Sequence, residues 1–138
     1  MEMNFYHGVH GVSRSMKYES ISKNIIDAAL KVHTALGPGL LEHPYLVCLK
    51  HELRRKNIRV ESEVILPIRY DGITIDIGYR LDLLVEDTVI VELKAVNQIA
   101  PIHRAQLLSY LKLSGKPVGL LMNFHVESLR DGIHRMVN

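Results

Sequence analysis

From Ser20 onward the apolar residues Ile21, Ile25, Ala28, Ala29, Val32 and Leu36 return every three or four positions, the stripe of an amphipathic helix. Gly37-Pro38-Gly39 ends it, and Leu41, Tyr45, Cys48, Leu49 and Leu53 set out a second helix that closes on the basic run Arg54-Arg55-Lys56. Pro44 fits that second helix only in its first turn, where a missing N–H costs no hydrogen bond. Beyond Asn57 the period falls to two. Val60 to Tyr70 reads as a strand, Asp71-Gly72 as a hairpin turn and Ile73 to Val85 as its partner. A turn near Glu86-Asp87-Thr88 then leads into Val89 to Val96, which completes an antiparallel meander. Helical spacing returns between Pro101 and Ser114 through Ala105, Leu107, Leu108 and Leu111, with Gly115 as the C-cap. Val118 to Phe124 is nearly all apolar, as in a strand covered on both faces. The tail from Glu127 reads as a loop followed by either a short strand or a turn. The order is ααβββαβ, an α/β chain of the α+β type with helices flanking a mixed central sheet.

A length of 138 residues suits one domain with one core. Residues 1–16 are polar and aperiodic, so they read as a flexible N-terminal extension to a single domain over 17–138. Apolar residues at 47% and charged residues at 23% match ordinary globular composition and exclude wholesale disorder. The net charge of +2 is too small to identify a nucleic-acid partner by bulk electrostatics. A lone cysteine, Cys48, allows neither an intrachain disulfide nor a cysteine metal cluster, and suits a reducing compartment. With no apolar run long enough to span a bilayer and no secretory h-region, the expected location is cytoplasmic and away from membranes.

The chemistry concentrates at the second turn of the meander. Within Val89 to Val96, Glu92 and Lys94 share a strand face by period-two alternation. If the turn has three residues, Val85 faces Val89 and Asp82 of the preceding strand faces Glu92. Cross-strand Cβ atoms lie about 4.5–5.5 Å apart, so two acids so placed repel one another unless a cation lies between them. Carboxylate oxygens are hard ligands suited to Mg²⁺ or Mn²⁺, ions that use one or two carboxylates and keep waters for phosphate chemistry. Lys94 beside such an ion would orient the attacking water or stabilise charge on the transition-state oxygens.

Asp82 followed across a turn by Glu92-Leu93-Lys94 resembles the core signature of the PD-(D/E)XK nuclease superfamily. Gly39-Leu40-Leu41-Glu42-His43-Pro44-Tyr45 resembles the signature of the GxxExxY group within it, and the likeness extends from about Met16 to Val137. That resemblance implies a restriction-endonuclease-like core and a nuclease in which Asp82, Glu92 and the Leu93 carbonyl hold Mg²⁺ or Mn²⁺ while Lys94 assists the attacking water. It further implies that Glu42 binds the metal directly or through water. Gln106 and Tyr110, one helical turn apart, resemble the QxxxY motif of the exonuclease-like branch and are expected to point into the same site. Glu42, Asp82, Glu92 and Lys94 together carry a charge of −2, which one divalent ion cancels. His43-Pro44 departs from the group's longer uninterrupted helix and bears on where Glu42 sits. Read as residues alone, Glu42 is also a helix N-terminal carboxylate favoured by the macrodipole, and His103, three residues before Gln106, either faces the same way as Gln106 or is a solvated or capping side chain. The implied substrate is a nucleic acid, DNA or RNA, bound through its phosphates by cations such as Arg54, Arg55, Lys56, Arg59, Arg104, Lys112, Arg130 and Arg135. A non-catalytic binding module that keeps the fold is the alternative, and the small core leaves room for a homodimer.

Overall fold

The computed structural model describes the backbone of residues 10–138, with side chains from Lys17 onward. Helix α1 (His10–Leu36) and helix α2 (Glu42–Arg55) pack together on one face of the sheet, and helix α3 (Pro101–Ser114) lies on the other. Helix α1 takes in residues 10–16, which the sequence assigns to the extension; residues 1–9 of that extension lie outside the described residues. Helix α2 starts at Glu42, so Pro44 falls in its first turn and His43-Pro44 leaves the helix start in place.

The central sheet holds five strands in the order β1 (Val60–Ile65), β4 (Arg80–Val85), β5 (Val89–Lys94), β6 (Val118–Asn123) and β7 (Ile133–Val137). Strands β1, β4 and β5 form the expected antiparallel meander; β6 joins β5 in parallel through α3, and β7 returns antiparallel along β6. The tail therefore resolves into a 3₁₀ turn at Leu129–Gly132 followed by a strand.

The long hairpin expected from Val60 to Val85 divides in two. Strands β2 (Ile68–Tyr70) and β3 (Ile73–Ile75) form their own small sheet around Asp71-Gly72, with Ile68 paired to Ile75. The break comes where Leu66-Pro67 on one arm opposes Asp76 to Tyr79 on the other, an unequal count closed by Gly78 at φ +93° and by the bond from Leu66 N–H to the Tyr79 carbonyl. The third run also stops short, at Lys94 instead of Val96.

Two apolar clusters fix the layers. Ile25, Ala29, Tyr45, Leu49, Leu53, Leu83, Val91, Leu93 and Phe124 fill the α1/α2 side, and Ile90, Leu107, Leu111 and Leu121 the α3 side. Every residue of β6 and all of β5 before Lys94 is buried, because both strands are covered on both faces. Tyr45 belongs to this framework: it stacks on Phe124 at 4.5 Å, donates its hydroxyl to the Gly37 carbonyl and accepts from Leu40 N–H. It thereby ties down the Gly37-Pro38-Gly39 loop that delivers Glu42 to the sheet. His33 donates from Nε2 to the Phe124 and Val126 carbonyls, which anchors the chain leaving β6 to α1.

Candidate active site

The turn between β4 and β5 has the three residues Glu86 to Thr88, and Val85 faces Val89 as the spacing predicts. Leu84 faces Ile90 and Leu83 faces Val91, and there the ladder stops. Asp82 and Glu92, next by count, do not form the direct ladder pair expected of them. The strands part, and each acid reaches into the gap: Asp82 N–H donates to Glu92 Oε2 at 2.8 Å, and Leu93 N–H donates to Asp82 Oδ2 at 2.8 Å. Two side-chain carboxylates take the place of two backbone carbonyls.

The cause is a shift of strand face at this level. On β4, Leu81 and Leu84 pack on the α3 side whereas Leu83 and Val85 pack on the α1/α2 side, so alternation slips by one residue at Asp82. On β1, Val60 and Val64 likewise reach opposite clusters, and Glu63 between them adopts φ +54°. Irregularities of this kind re-aim side chains. Here they turn Asp82 toward α2, where it lines a cavity of about 160 Å³ with Glu42, Glu63 and Leu93. Glu92 shares the α3 side with Ile90 by alternation and is only 4% exposed, so the two acids enter the fork from its two sides and meet across the backbone.

The fork is electrostatically loaded. Burial, then the neighbouring charge of Asp82, pushes the Glu92 carboxyl up to about 8. Asp82 is also raised, first by burial and further by Glu42 and Glu63, while Leu93 N–H and the Lys94 ammonium work in the opposite direction. Lys94, half-buried, also favours the ionised form of Glu92. The sequence gives no sign of Glu63, because a strand glutamate of ordinary exposure becomes part of the site only through its left-handed backbone.

Glu42 is exposed at the first position of α2 and reaches both acids through its charge. Among the described residues no three His, Cys, Asp or Glu side chains are gathered closely enough to ligate one ion together. The donor set fits an ion that takes two carboxylates and completes its shell with water, as Mg²⁺ does. No hydrogen bond from the described residues engages Asp82 Oδ1 or Glu92 Oε1. The Leu93 N–H points to the β4 side, so by strand alternation its carbonyl does too, past the last ladder pair.

Tyr110 is buried on the inner face of α3, its ring 6.2 Å from that of Tyr79, and its hydroxyl is raised by burial and then by the charge of Glu92. Gln106, half-buried one turn nearer the start of α3, shares that face. His103 is a cap: its Nδ1 accepts from Ala100 N–H and its own N–H donates to the Ala100 carbonyl. Arg59 sits at the far end of β4 and β5, where its N–H donates to Glu86, whereas Arg54 lines a cavity of about 370 Å³ with His43, Lys50 and Glu63, beside the one that Asp82 lines. Asn123, the β6 partner of Lys94 in register, has no sequence signal of its own. It is buried, and its amide accepts from Val96 N–H and donates to the Val96 carbonyl, holding the chain that leaves Lys94.

The profile of the PD-(D/E)XK nuclease superfamily matches residues 19–136. Among solved structures the chain is similar to the crystal structure of SSO0001, with 23% sequence identity and a TM-score of 0.47; the match covers 89% of this chain and 60% of that one. This chain therefore spans about three fifths of the length of that relative. No curated protein matches.

Proposed function

Because the chain belongs to the PD-(D/E)XK nuclease superfamily, we propose that it is a divalent-metal-dependent nuclease that hydrolyses phosphodiester bonds of DNA or RNA at the Asp82–Glu92 fork. The observation that carries this reading is the pair of acids in the parted strands, with a Glu92 carboxyl at about 8. A buried carboxyl held protonated beside a second acid would be relieved by a cation that takes the proton's place. Asp82, Glu92 and the Leu93 carbonyl would hold Mg²⁺ or Mn²⁺, and Glu42 would act through a water across the small cavity. When bound, the ion polarises a phosphoryl oxygen and acidifies water. Lys94 orients the attacking water or stabilises the developing charge on phosphate, and Gln106 and Tyr110 steady the α3 wall. Within the superfamily we assign the chain to the GxxExxY group on Gly39 to Tyr45, where Glu42 supplies charge to the site and Tyr45 fixes the loop before it.

The test is digestion of single-stranded, duplex and structured DNA and RNA with Mg²⁺, Mn²⁺ or chelator, beside Asp82→Asn and Lys94→Ala. Cleavage that needs the ion and is at least about a hundredfold slower in both variants is expected, a loss typical for removal of one transition-state contact. Cleavage that persists in chelator, or in both variants, overturns the proposal. Binding of nucleic acid that is unaffected by chelator and unaccompanied by cleavage identifies a non-catalytic module.

A further inference from the structure

Beyond the carboxyl ends of the parallel strands β5 and β6 lies a second cavity, of about 300 Å³, whose walls include Asn97, Gln98, Arg104, Asn123, Asp131 and His134. Asn123 stands beside Lys94 in register, so this cavity begins one strand spacing, about 4.8 Å, from the strand that carries Glu92 and Lys94. Open sheets with parallel strands place ligands at this end.

Its lining carries a close pair. Arg104 Nη2 lies 3.1 Å from His134 Nδ1. A guanidinium can only donate, so Nδ1 accepts and the ring proton sits on Nε2. Two donors are thus held side by side, and among the described residues neither is in an ion pair with a carboxylate. Asp131, the one acid on the wall, lies beyond ion-pair distance of both. Burial and the adjacent guanidinium keep His134 below its ordinary range, so it contributes a neutral N–H donor at pH 7 while Arg104 contributes the charge. The amides of Asn97 and Gln98 line the same space.

We propose that the Arg104–His134 cavity is a phosphate subsite that takes a phosphoryl group of the nucleic-acid strand next to the one cleaved at the fork. The inference rests on the nuclease reading for the identity of the strand, and on the cavity for the anion. A planar guanidinium suits bidentate contact with phosphate, and an Nε2–H beside it adds a directional donor. Phosphate contacts of this kind fix the register of a strand without reading its bases. The subsite would set how far from a phosphate the fork cuts.

The test separates binding from cleavage. Inorganic phosphate is titrated into the metal-free protein while the His134 ring and Arg104 side-chain resonances are followed, with Arg104→Ala, His134→Gln and, as a charge control, Arg130→Ala. Phosphate is expected to shift both sets of resonances, to bind about tenfold or more weaker in Arg104→Ala, and to be unaffected in Arg130→Ala. Equal affinity in Arg104→Ala and wild type overturns the proposal, as does phosphate perturbing residues elsewhere. Oligonucleotides bearing a terminal phosphate or only hydroxyl ends are then compared by anisotropy on the Asp82→Asn protein. A terminal-phosphate gain that vanishes in Arg104→Ala identifies a strand end, and an equal Arg104→Ala loss for both oligonucleotides identifies an internal phosphodiester. An absence of cleavage by the wild type, with the phosphate shifts intact, sinks the nuclease reading and leaves the anion site standing.

Discussion

Each acid at the fork does work that a sheet ordinarily assigns to a carbonyl. Asp82 Oδ2 satisfies Leu93 N–H, and Glu92 Oε2 satisfies Asp82 N–H, in a place where water has little access. Structural and chemical roles therefore separate by choice of substitution. Asp82→Asn keeps an acceptor for Leu93 N–H and removes the charge, so it is expected to melt at or above the wild-type temperature while losing cleavage. Asp82→Ala leaves that N–H unpaired, at a cost of about 1–3 kcal/mol. Thermal unfolding of the two variants in chelator checks the difference; equal melting temperatures would mean that the bond from Leu93 N–H to Asp82 contributes nothing to stability. The adjacency of Asp82 and Glu92 was legible in the sequence, because period two and a three-residue turn suffice for it. Their manner of meeting was not, because it depends on a slip of alternation at Asp82 matched by positive φ at Glu63 across the ladder.

At the scale of elements, the fork is positioned by contacts far from it in sequence. Tyr45 joins α2 to the Gly37–Leu40 loop and to Phe124 at the end of β6, so its hydroxyl bears on the approach of Glu42. Tyr45→Phe keeps the stack and loses both hydrogen bonds; a loss of about 0.5–1.5 kcal/mol per bond in denaturant unfolding is expected, because water can reach the half-buried Gly37 carbonyl and the exposed Leu40 amide once the hydroxyl is gone. Gly132 is tighter still. A Cβ there would fall well inside van der Waals contact of the Asn123 carbonyl oxygen, so Gly132→Ala must push β7 away from the end of β6. It should destabilise by more than the few tenths of a kcal/mol usual for a surface change. Helix α2, helix α1 from Ser20 onward and the all-apolar run of β6 could be read directly from spacing, whereas the start of α1 at His10 could not, because residues 10–16 lack an apolar period. The division of the long hairpin had a signal in Pro67 and Gly78, residues that interrupt a ladder, yet the small β2–β3 sheet follows only once the unequal arms are counted. The last strand was ambiguous because Ile133 to Val137 is short and its neighbour β6 supplies most of the reason for it to be a strand.

For the molecule as a whole, the fork sets the proposed chemistry against stability. A carboxyl that ionises near 4.5 when exposed and near 8 when folded binds its proton more tightly in the folded protein. Below the lower value both states are protonated and Glu92 has no effect on the folding equilibrium. Between the two values the unfolded chain releases the proton and the folded chain keeps it, so the Glu92 contribution makes the protein less stable as pH rises through this window. Above about 8 the penalty is complete, because the folded protein then holds two buried negative charges. Glu92→Gln retains an acceptor for Asp82 N–H and has no proton to lose. In chelator it should therefore melt close to wild type near pH 5, with the gap widening to ~3 °C or more in its favour near pH 9, a difference of roughly 1 kcal/mol. Mn²⁺ added at the higher pH should close the gap by stabilising the wild type alone, since an ion that binds only the folded, ionised fork adds to stability by mass action. A constant offset between the two proteins at all pH values, or equal stabilisation of both by Mn²⁺, would mean that Glu92 is neither strained by its neighbour nor a metal ligand.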